Sequence, residues 1–193
     1  MEKEFNEQES LSIIQQMIDK VKSDIDDDSF YNLFWGWLVF IASISNFILL
    51  KMEYEYSFLP WLLMPLGAIV TGVYSYKHKR NKRVRTYIDD FLRYVLIAFL
   101  VSLMMVLFFQ SKLEFSTYPM VMMVYGIWLF ISGGVIRFRP LMIGGIINWI
   151  LAIAAFFVSF EIQLLLLALA VVSGYIIPGY LLKAFYKRNV QRT

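Results

Sequence analysis

The chain has 193 residues, of which 59% are hydrophobic and 17% charged, against roughly 45–50% and 25% in soluble domains. It contains no cysteine, which excludes disulfides and thiolate metal sites, and its single histidine, His78, excludes most histidine-based zinc or iron sites. The formal net charge is +3, and many of the lysines and arginines lie in a few basic clusters. A composition this apolar predicts a membrane protein.

The first predicted element is an amphipathic helix over residues 10–28. Its apolar residues recur every three or four positions, the spacing of a short coiled-coil seam, and polar residues occupy the other faces. The polar face is not rich in lysine, unlike helices that lie on anionic lipid. We therefore expect the helix to pack on its own bundle, on a second copy or on a partner protein. The seam consists of Leu11, Ile14, Ile18, Val21 and Ile25.

The rest of the chain is dominated by six apolar runs separated by short charged loops. Each run has about twenty residues, the length that crosses a hydrocarbon core of about 30 Å at ~1.5 Å per residue. We predict an all-α membrane protein with six transmembrane helices (30–186), a cytoplasmic helical segment (1–29) and a basic tail (187–193). The predicted spans are residues 30–50, 56–76, 91–110, 118–136, 141–159 and 163–185.

The distribution of basic residues predicts the orientation of these spans. The chain has 18 lysines and arginines, and only Lys51 and Lys112 fall in the loops that would be outside if the N-terminus is cytoplasmic. The other sixteen (18 minus 2) would then lie on the cytoplasmic side, as the positive-inside rule requires. Both termini are therefore predicted to be cytoplasmic.

An acidic run and a basic loop would face each other on that side. The acidic run (residues 24–28) ends just before the first span, and the basic loop (residues 77–85) joins the second and third spans. They can pair as an electrostatic latch, or the loop can instead meet lipid headgroups while the aspartates stay solvated. The candidate interaction residues are Asp26, Asp27, Asp28, Arg80, Lys82 and Arg83.

The predicted spans carry only neutral polar residues near their centres. Ionisable groups inside a membrane usually mark transport pathways, and none is central here. Neutral groups generally bond across helices or to their own backbone. Asn46, Ser102 and Asn148 are the candidate intramembrane polar residues, and Asn148 needs a partner or water because its amide lies mid-span.

Glycines and prolines add the remaining features of the spans. Gly133-Gly134 and Gly144-Gly145 would allow the fourth and fifth spans to pack closely, and Pro178-Gly179 can kink the sixth. The first two hairpins also share Pro and Gly spacings that suggest a duplication. Repeats and broken helices occur in transporters, so these features keep a small transporter or channel for a neutral or apolar solute as an alternative.

Enzymatic and nucleic-acid functions find little support in the sequence. A serine nucleophile needs a base, and the only histidine lies in the basic loop with no serine partner in view. No glycine-rich phosphate loop or EF-hand pattern is present. We therefore expect no catalytic residue, no cofactor, no metal site and no nucleic-acid partner.

One block has a more specific character: Phe30-Tyr31-Asn32-Leu33-Phe34-Trp35-Gly36-Trp37, which follows the acidic helix and opens the spans. In this layout the chain resembles small, uncharacterised bacterial six-span integral membrane proteins with no known activity. The resemblance implies a multi-pass protein of the bacterial cytoplasmic (inner) membrane. The sequence favours a non-enzymatic interaction or regulatory subunit that acts through its cytoplasmic face, with the lipid bilayer and a protein partner or second copy as its contacts.

Overall fold

The computed structural model describes residues 30–78 and 87–190, and all regular structure within these ranges is helical. A short 3₁₀ helix (Leu59–Leu62) leads into the second helix, another (Glu114–Ser116) into the fifth, and a π segment (Val172–Ile176) joins the last two. The helices are α1 (Phe30–Lys51), α2 (Leu63–His78), α3 (Tyr87–Phe108), α4 (Gln110–Leu113), α5 (Thr117–Val135), α6 (Arg139–Ala155), α7 (Phe160–Val171) and α8 (Ile177–Val190).

Five helical stretches of this fold are long and apolar enough to cross a membrane. The predicted fifth span corresponds to α6, which is apolar but has 17 residues and falls just short of that length. Residues 156–159 form the turn after α6 rather than its last turn. The all-helical character is thus confirmed with five candidate spans, whereas the six-span count and the orientation stay predictions.

The end of α6 is capped by a side chain from α7, that of Gln163. Its side-chain Nε2 donates to the carbonyl oxygens of Ala155 (3.0 Å) and Val158 (3.4 Å). These carbonyls belong to the end of α6 and the following turn, where helical partners run out. A side-chain donor from α7 therefore takes the place of a further helical turn.

Burial divides the helices into a core and a periphery. In the stretch from Phe160 to Ala184, 56% of the residues in the most apolar window are buried. In the stretch from Gln110 to Val135 the share is 44%. The corresponding shares are 28% for α1, 6% for α2 and 0% for α3. The core thus consists of α5 to α8 with one face of α1, and α2 and α3 lie outside it.

Glycines set the close contact between α5 and α6. A Cβ added to Gly126 would overlap the indole of Trp149 and lie 3.0 Å from the carbonyl oxygen of Gly145. A Cβ on Gly133 would lie 2.8 Å from the backbone nitrogen of Met142. Gly134 has open space around it, so only one glycine of that predicted pair is needed for packing.

The last span is interrupted where the proline predicts a disturbance. The π segment ends two residues before Pro178, and Ile177 donates its N–H to the Val172 carbonyl, five residues back. Proline has no N–H and its ring would collide with the carbonyl four residues earlier, that of Gly174. A wider π turn relieves such a collision. The kink predicted at this position therefore takes the form of a π segment.

Three helices end at a residue other than glycine with a positive φ, and the ends after α1 and α5 share one hydrogen-bond pattern. After α1, Glu53 has φ 55°, and the N–H of Tyr54 donates to the carbonyl of Leu49 at 3.0 Å. After α5, Arg137 has φ 55°, and the N–H of Phe138 donates to Gly133 at 2.8 Å. Both are Schellman motifs, which close a helix by satisfying its last carbonyls.

The two ends of the bundle can be named by their residues. At the Lys51 end, the ammonium of Lys51 pairs with the carboxylate of Glu161 and ties the end of α1 to the start of α7. Both side chains are about half exposed, so the pair adds little stability. The other end of the bundle, the Phe30 end, holds the start of α1 and the C-terminal part of α8.

Candidate functional site

Only three of the sequence-predicted candidates lie within the described residues: Asn46, Ser102 and Asn148. The apolar seam of the N-terminal helix, the acidic run and the basic loop lie outside them. The candidates outside the described ranges are Leu11, Ile14, Ile18, Val21, Ile25, Asp26, Asp27, Asp28, Arg80, Lys82 and Arg83.

Asn148 lies at the centre of the core and is fully buried. Its Nδ2 donates to the carbonyl oxygen of Gly144 on its own helix at 2.8 Å and to that of Ala170 on α7 at 3.0 Å. The second bond crosses between helices, which is the structural role that mid-span amides usually have. Its Oδ1 has no hydrogen-bond partner among the described residues.

The side of Asn148 that faces Gly144 and Gly174 is closely packed. A Cβ added to Gly174 would lie 2.6 Å from Asn148 Nδ2 and 2.6 Å from Leu129 Cδ1. A Cβ added to Gly144 would lie 2.8 Å from the Cα of Gly174. Backbones therefore meet directly on this side of Asn148, and the amide locks α6 against the π segment and α7.

The carbonyl of Ala170 is shared by two side-chain donors. It accepts from Asn148 Nδ2 and from Ser173 Oγ, each at 3.0 Å. Ser173 lies inside the π segment, where the regular α-helical bonding pattern is broken. Side chains thus supply hydrogen bonds in the region where the backbone ladder changes.

Asn46 forms a separate polar cluster near the Lys51 end. Its amide, oriented to satisfy both neighbours, donates from Nδ2 to the carbonyl of Ser57 at 2.9 Å and accepts at Oδ1 from Trp61 Nε1 at 2.7 Å. The hydroxyl of Tyr118 lies 3.3 Å from the same amide. The cluster therefore joins α1, the 3₁₀ turn before α2 and the start of α5.

Ser102 has a different environment from the two asparagines. It is exposed on α3, the helix whose apolar window has no buried residue. The three predicted polar residues are therefore not brought together: one lies in the core, one at the Lys51 end and one on the outer surface. They do not form a common site.

Two further buried polar residues have structural roles near the Lys51 end. Ser43 donates from Oγ to the carbonyl of Leu164 on α7 at 2.7 Å. Gln163 ties α7 to the end of α6 and leaves its Oε1 without a partner among the described residues. The sequence interpretation treated Gln163 only as the boundary of a span, although a glutamine at the start of an apolar run could have indicated a helix-capping role.

Charged groups in the described ranges offer no metal site. No group of three or more His, Asp or Glu side chains lies close enough to hold an ion there. At the Phe30 end, Arg93 pairs with Asp90 at 3.3 Å and its guanidinium lies 5.6 Å from the ring centre of Tyr94. This arrangement is a local contact on one helix and not a binding centre.

Comparisons with known proteins give no further guide to function. No protein-family model matches the chain, and neither a curated protein nor a solved structure is similar to it.

Proposed function

We propose that this protein is a non-enzymatic interaction or regulatory subunit of the bacterial cytoplasmic membrane that acts through its cytoplasmic face. In this proposal six helices cross the membrane and both termini are cytoplasmic. The positive-inside distribution supports this orientation, because sixteen of the 18 basic residues (18 minus Lys51 and Lys112) then lie on the cytoplasmic side.

The span that this topology adds to the five long apolar stretches is α6, the fifth in chain order. Its 17 residues reach about 26 Å at ~1.5 Å per residue, which is within the range of short spans. It packs on α5 through Gly145 and on the π segment through Gly144. Its exposed face is apolar at Ile143, Ile150 and Ile153, which suits lipid rather than water and supports its inclusion in the bundle.

The packing around Asn148 is the observation that favours a subunit over a transporter. Its amide is fully buried, bonds to two backbone carbonyls and abuts Gly174. The mid-span polar group therefore serves helix packing rather than an open, hydrated path. With the core occupied in this way, the charged cytoplasmic segments are the natural surface for a partner.

The proposed partner surface is the apolar seam of the N-terminal helix. A seam of about two heptads is too short to be stable alone and gains stability from a second surface. A partner protein or a second copy of the chain would supply it. The acidic run and the basic loop would then set charge preference rather than affinity.

Crosslinking in intact membranes, followed by affinity purification and mass spectrometry, tests this proposal with the full-length chain. Wild type is compared with a seam variant (Ile14→Asp with Ile18→Asp) and a control that adds the same charges to the polar face (Gln15→Asp with Gln16→Asp). We expect a stoichiometric partner to be lost from the seam variant and kept by the control. Retention of every partner by the seam variant would contradict the proposal.

A small transporter for a neutral solute is the second candidate. It is favoured by the buried amide oxygens of Asn148 and Gln163, which have no partner among the described residues, and by the π segment beside Asn148. Flux of small neutral solutes into vesicles that contain the purified protein tests it. A flux that Asn148→Leu abolishes would favour transport, and vesicles no more permeable than protein-free ones would exclude it for those solutes.

A further inference from the structure

A groove open to the surroundings runs along α1 at the Phe30 end. Its volume is about 530 Å³, and it lies between α2 on one side and α8 on the other. Phe30, Trp37 and Ile41 contribute to its floor, Leu63 to one wall and Lys183 to the other. The lining is almost wholly apolar, and several of these side chains are well exposed, with Trp37 at 42% and Ile41 at 50%.

The walls of the groove are fixed by close helix contacts. A Cβ added to Gly67 of α2 would lie 2.8 Å from Leu38 of α1, and a Cβ added to Gly179 of α8 would lie 3.0 Å from Leu33. Both neighbouring helices therefore lie directly against α1. The concave surface between them is built into the packing of the bundle.

The length of the groove matches one leaflet of a bilayer. From Phe30 to Ile41 the floor covers eleven residue steps of α1, or about 16 Å at ~1.5 Å per residue. Half of a hydrocarbon core of about 30 Å is about 15 Å. An acyl chain that enters at the Phe30 end would therefore be covered along the whole depth of its leaflet.

Among the residues that the structure describes, Lys183 is the only charged one that lines the groove. Gly179 packs on Leu33 near the start of α1, and Lys183 lies one turn of α8 further towards the Phe30 end. The ammonium is therefore placed at the mouth of the groove and its aliphatic stem beside the apolar floor. A cation at the mouth of an apolar, leaflet-deep groove complements an anionic headgroup above an acyl chain.

We propose that this groove binds an anionic phospholipid, with an acyl chain along α1 and the headgroup phosphate at Lys183. The N-terminal segment is a poorer occupant, because its aspartates would have to enter a groove that deepens into hydrocarbon. The proposal goes beyond a role as interaction subunit and needs only that the bundle lies in a membrane.

Photolabelling in vesicles tests the lipid site with the full-length chain. Phosphatidylcholine vesicles carry equal small fractions of phosphatidylglycerol or phosphatidylcholine with a diazirine at the same acyl position, and labelled peptides are quantified by mass spectrometry. We expect the peptide covering residues 30–41 to be labelled about fivefold more by phosphatidylglycerol, the preference that one lysine gives near an anionic headgroup. Equal labelling by the two lipids would overturn the proposal, and so would the absence of labelling by both.

Charge variants test the role of Lys183. Lys183→Gln should bring the ratio of the two lipids close to one, whereas Lys183→Arg should retain the preference. Lys112→Gln removes the same charge at the Lys51 end and should leave the ratio unchanged. A preference that survives Lys183→Gln would overturn the assignment of the phosphate to this lysine.

A filling variant tests the groove independently of charge. Ile41→Trp places a larger side chain in the floor and should reduce labelling by both lipids, whereas Ile48→Trp, at a similarly exposed position of α1 outside the groove, should not. Equal labelling of the two variants would count against an acyl chain in the groove. None of these results depends on a protein partner, so failure here and failure of the seam experiment are distinguishable.

Discussion

The Nδ2 of Asn148 lies 3.0 Å from the carbonyl oxygen of Ala170 and joins α6 to α7 through a single amide. The same nitrogen donates to Gly144 at 2.8 Å, so both of its protons are used. Few polar groups cross between helices in this core, and this one lies at its centre. Removal of this amide should therefore lower the stability of the whole bundle.

We expect Asn148→Ala to lower the free energy of unfolding by about 1–2 kcal/mol through loss of the interhelical hydrogen bond. Asn148→Asp should cost more, about 3 kcal/mol, because a buried carboxylate would face two carbonyl oxygens. Unfolding of the purified protein in mixed micelles measures both. Ile150→Ala, on the exposed face of α6, is the matched control, and an Asn148→Ala loss no larger than that of the control would contradict this role.

Two glycines of α5 should respond in opposite ways to alanine. In Gly126→Ala the new methyl group would overlap the rigid indole of Trp149 and crowd Gly145, which should destabilise the protein by about 1–3 kcal/mol. Gly134→Ala adds its methyl group in open space on the same helix and should be neutral or slightly stabilising. The same unfolding measurement compares them, and similar losses for the two variants would show that the α5–α6 contact is not close.

Replacing the left-handed residue after α1 should stabilise the protein. Glu53 has φ 55°, so Glu53→Gly removes the steric cost of a side chain in that conformation, about 1 kcal/mol. Glu55, two residues later, does not have a positive φ, and Glu55→Gly should instead be neutral or slightly destabilising through added unfolded-state entropy. Thermal unfolding midpoints give the comparison, and a lower midpoint for Glu53→Gly would contradict it.

The six-span orientation can be tested with single cysteines, because the chain has none of its own. A membrane-impermeant thiol reagent should label Lys112→Cys and Glu161→Cys in intact cells. Arg137→Cys should become labelled only after permeabilisation. Equal labelling of Arg137→Cys and Glu161→Cys in intact cells would place both ends of α6 on one side and remove it from the list of spans.

The electrostatic latch predicts a salt-dependent proximity. A chain with Asp27→Cys and Lys82→Cys should crosslink efficiently at low ionic strength and several-fold less at about 0.5 M salt, where the Debye length is only a few ångströms. Crosslinking that does not change with salt would indicate that the loop meets lipid headgroups instead. The neighbouring charges at Asp26, Asp28 and Arg83 remain in place in this design.

The helical fold and its five long apolar stretches follow from composition and run length, because a bilayer demands about twenty apolar residues in each span. The short length of α6 does not follow from run length, because Gln163 on the next helix caps its end. Likewise the proline predicts a disturbance near residue 178, but not that it takes the form of a π segment over Val172–Ile176. Contacts formed in the folded chain determine features of this kind, so the lengths of the apolar runs do not predict them.

The candidate polar residues show the same division. The sequence identifies Asn148 as a group that needs a partner, and its chemistry requires one wherever it lies. The sequence does not show that Asn46 lies beside Trp61 and Tyr118, or that Ser102 faces outwards, because packing sets the rotation of each helix about its axis. The groove at Lys183 was not predicted either, since one of its walls comes from α8, which is distant in the chain from α1 and α2.

The hydrogen bond from Ser43 to Leu164 spans 121 positions of the sequence and gives the bundle an order of assembly. At about 5–20 residues per second, roughly 6–24 seconds of synthesis separate the two residues. Until α7 and the π segment have been made, α1 lacks the acceptor of the Ser43 hydroxyl and the Tyr175 and Ile176 contacts at Gly36. A nascent chain that stops before α7 therefore leaves Ser43 and Gly36 of α1 without the partners that they have in the complete bundle.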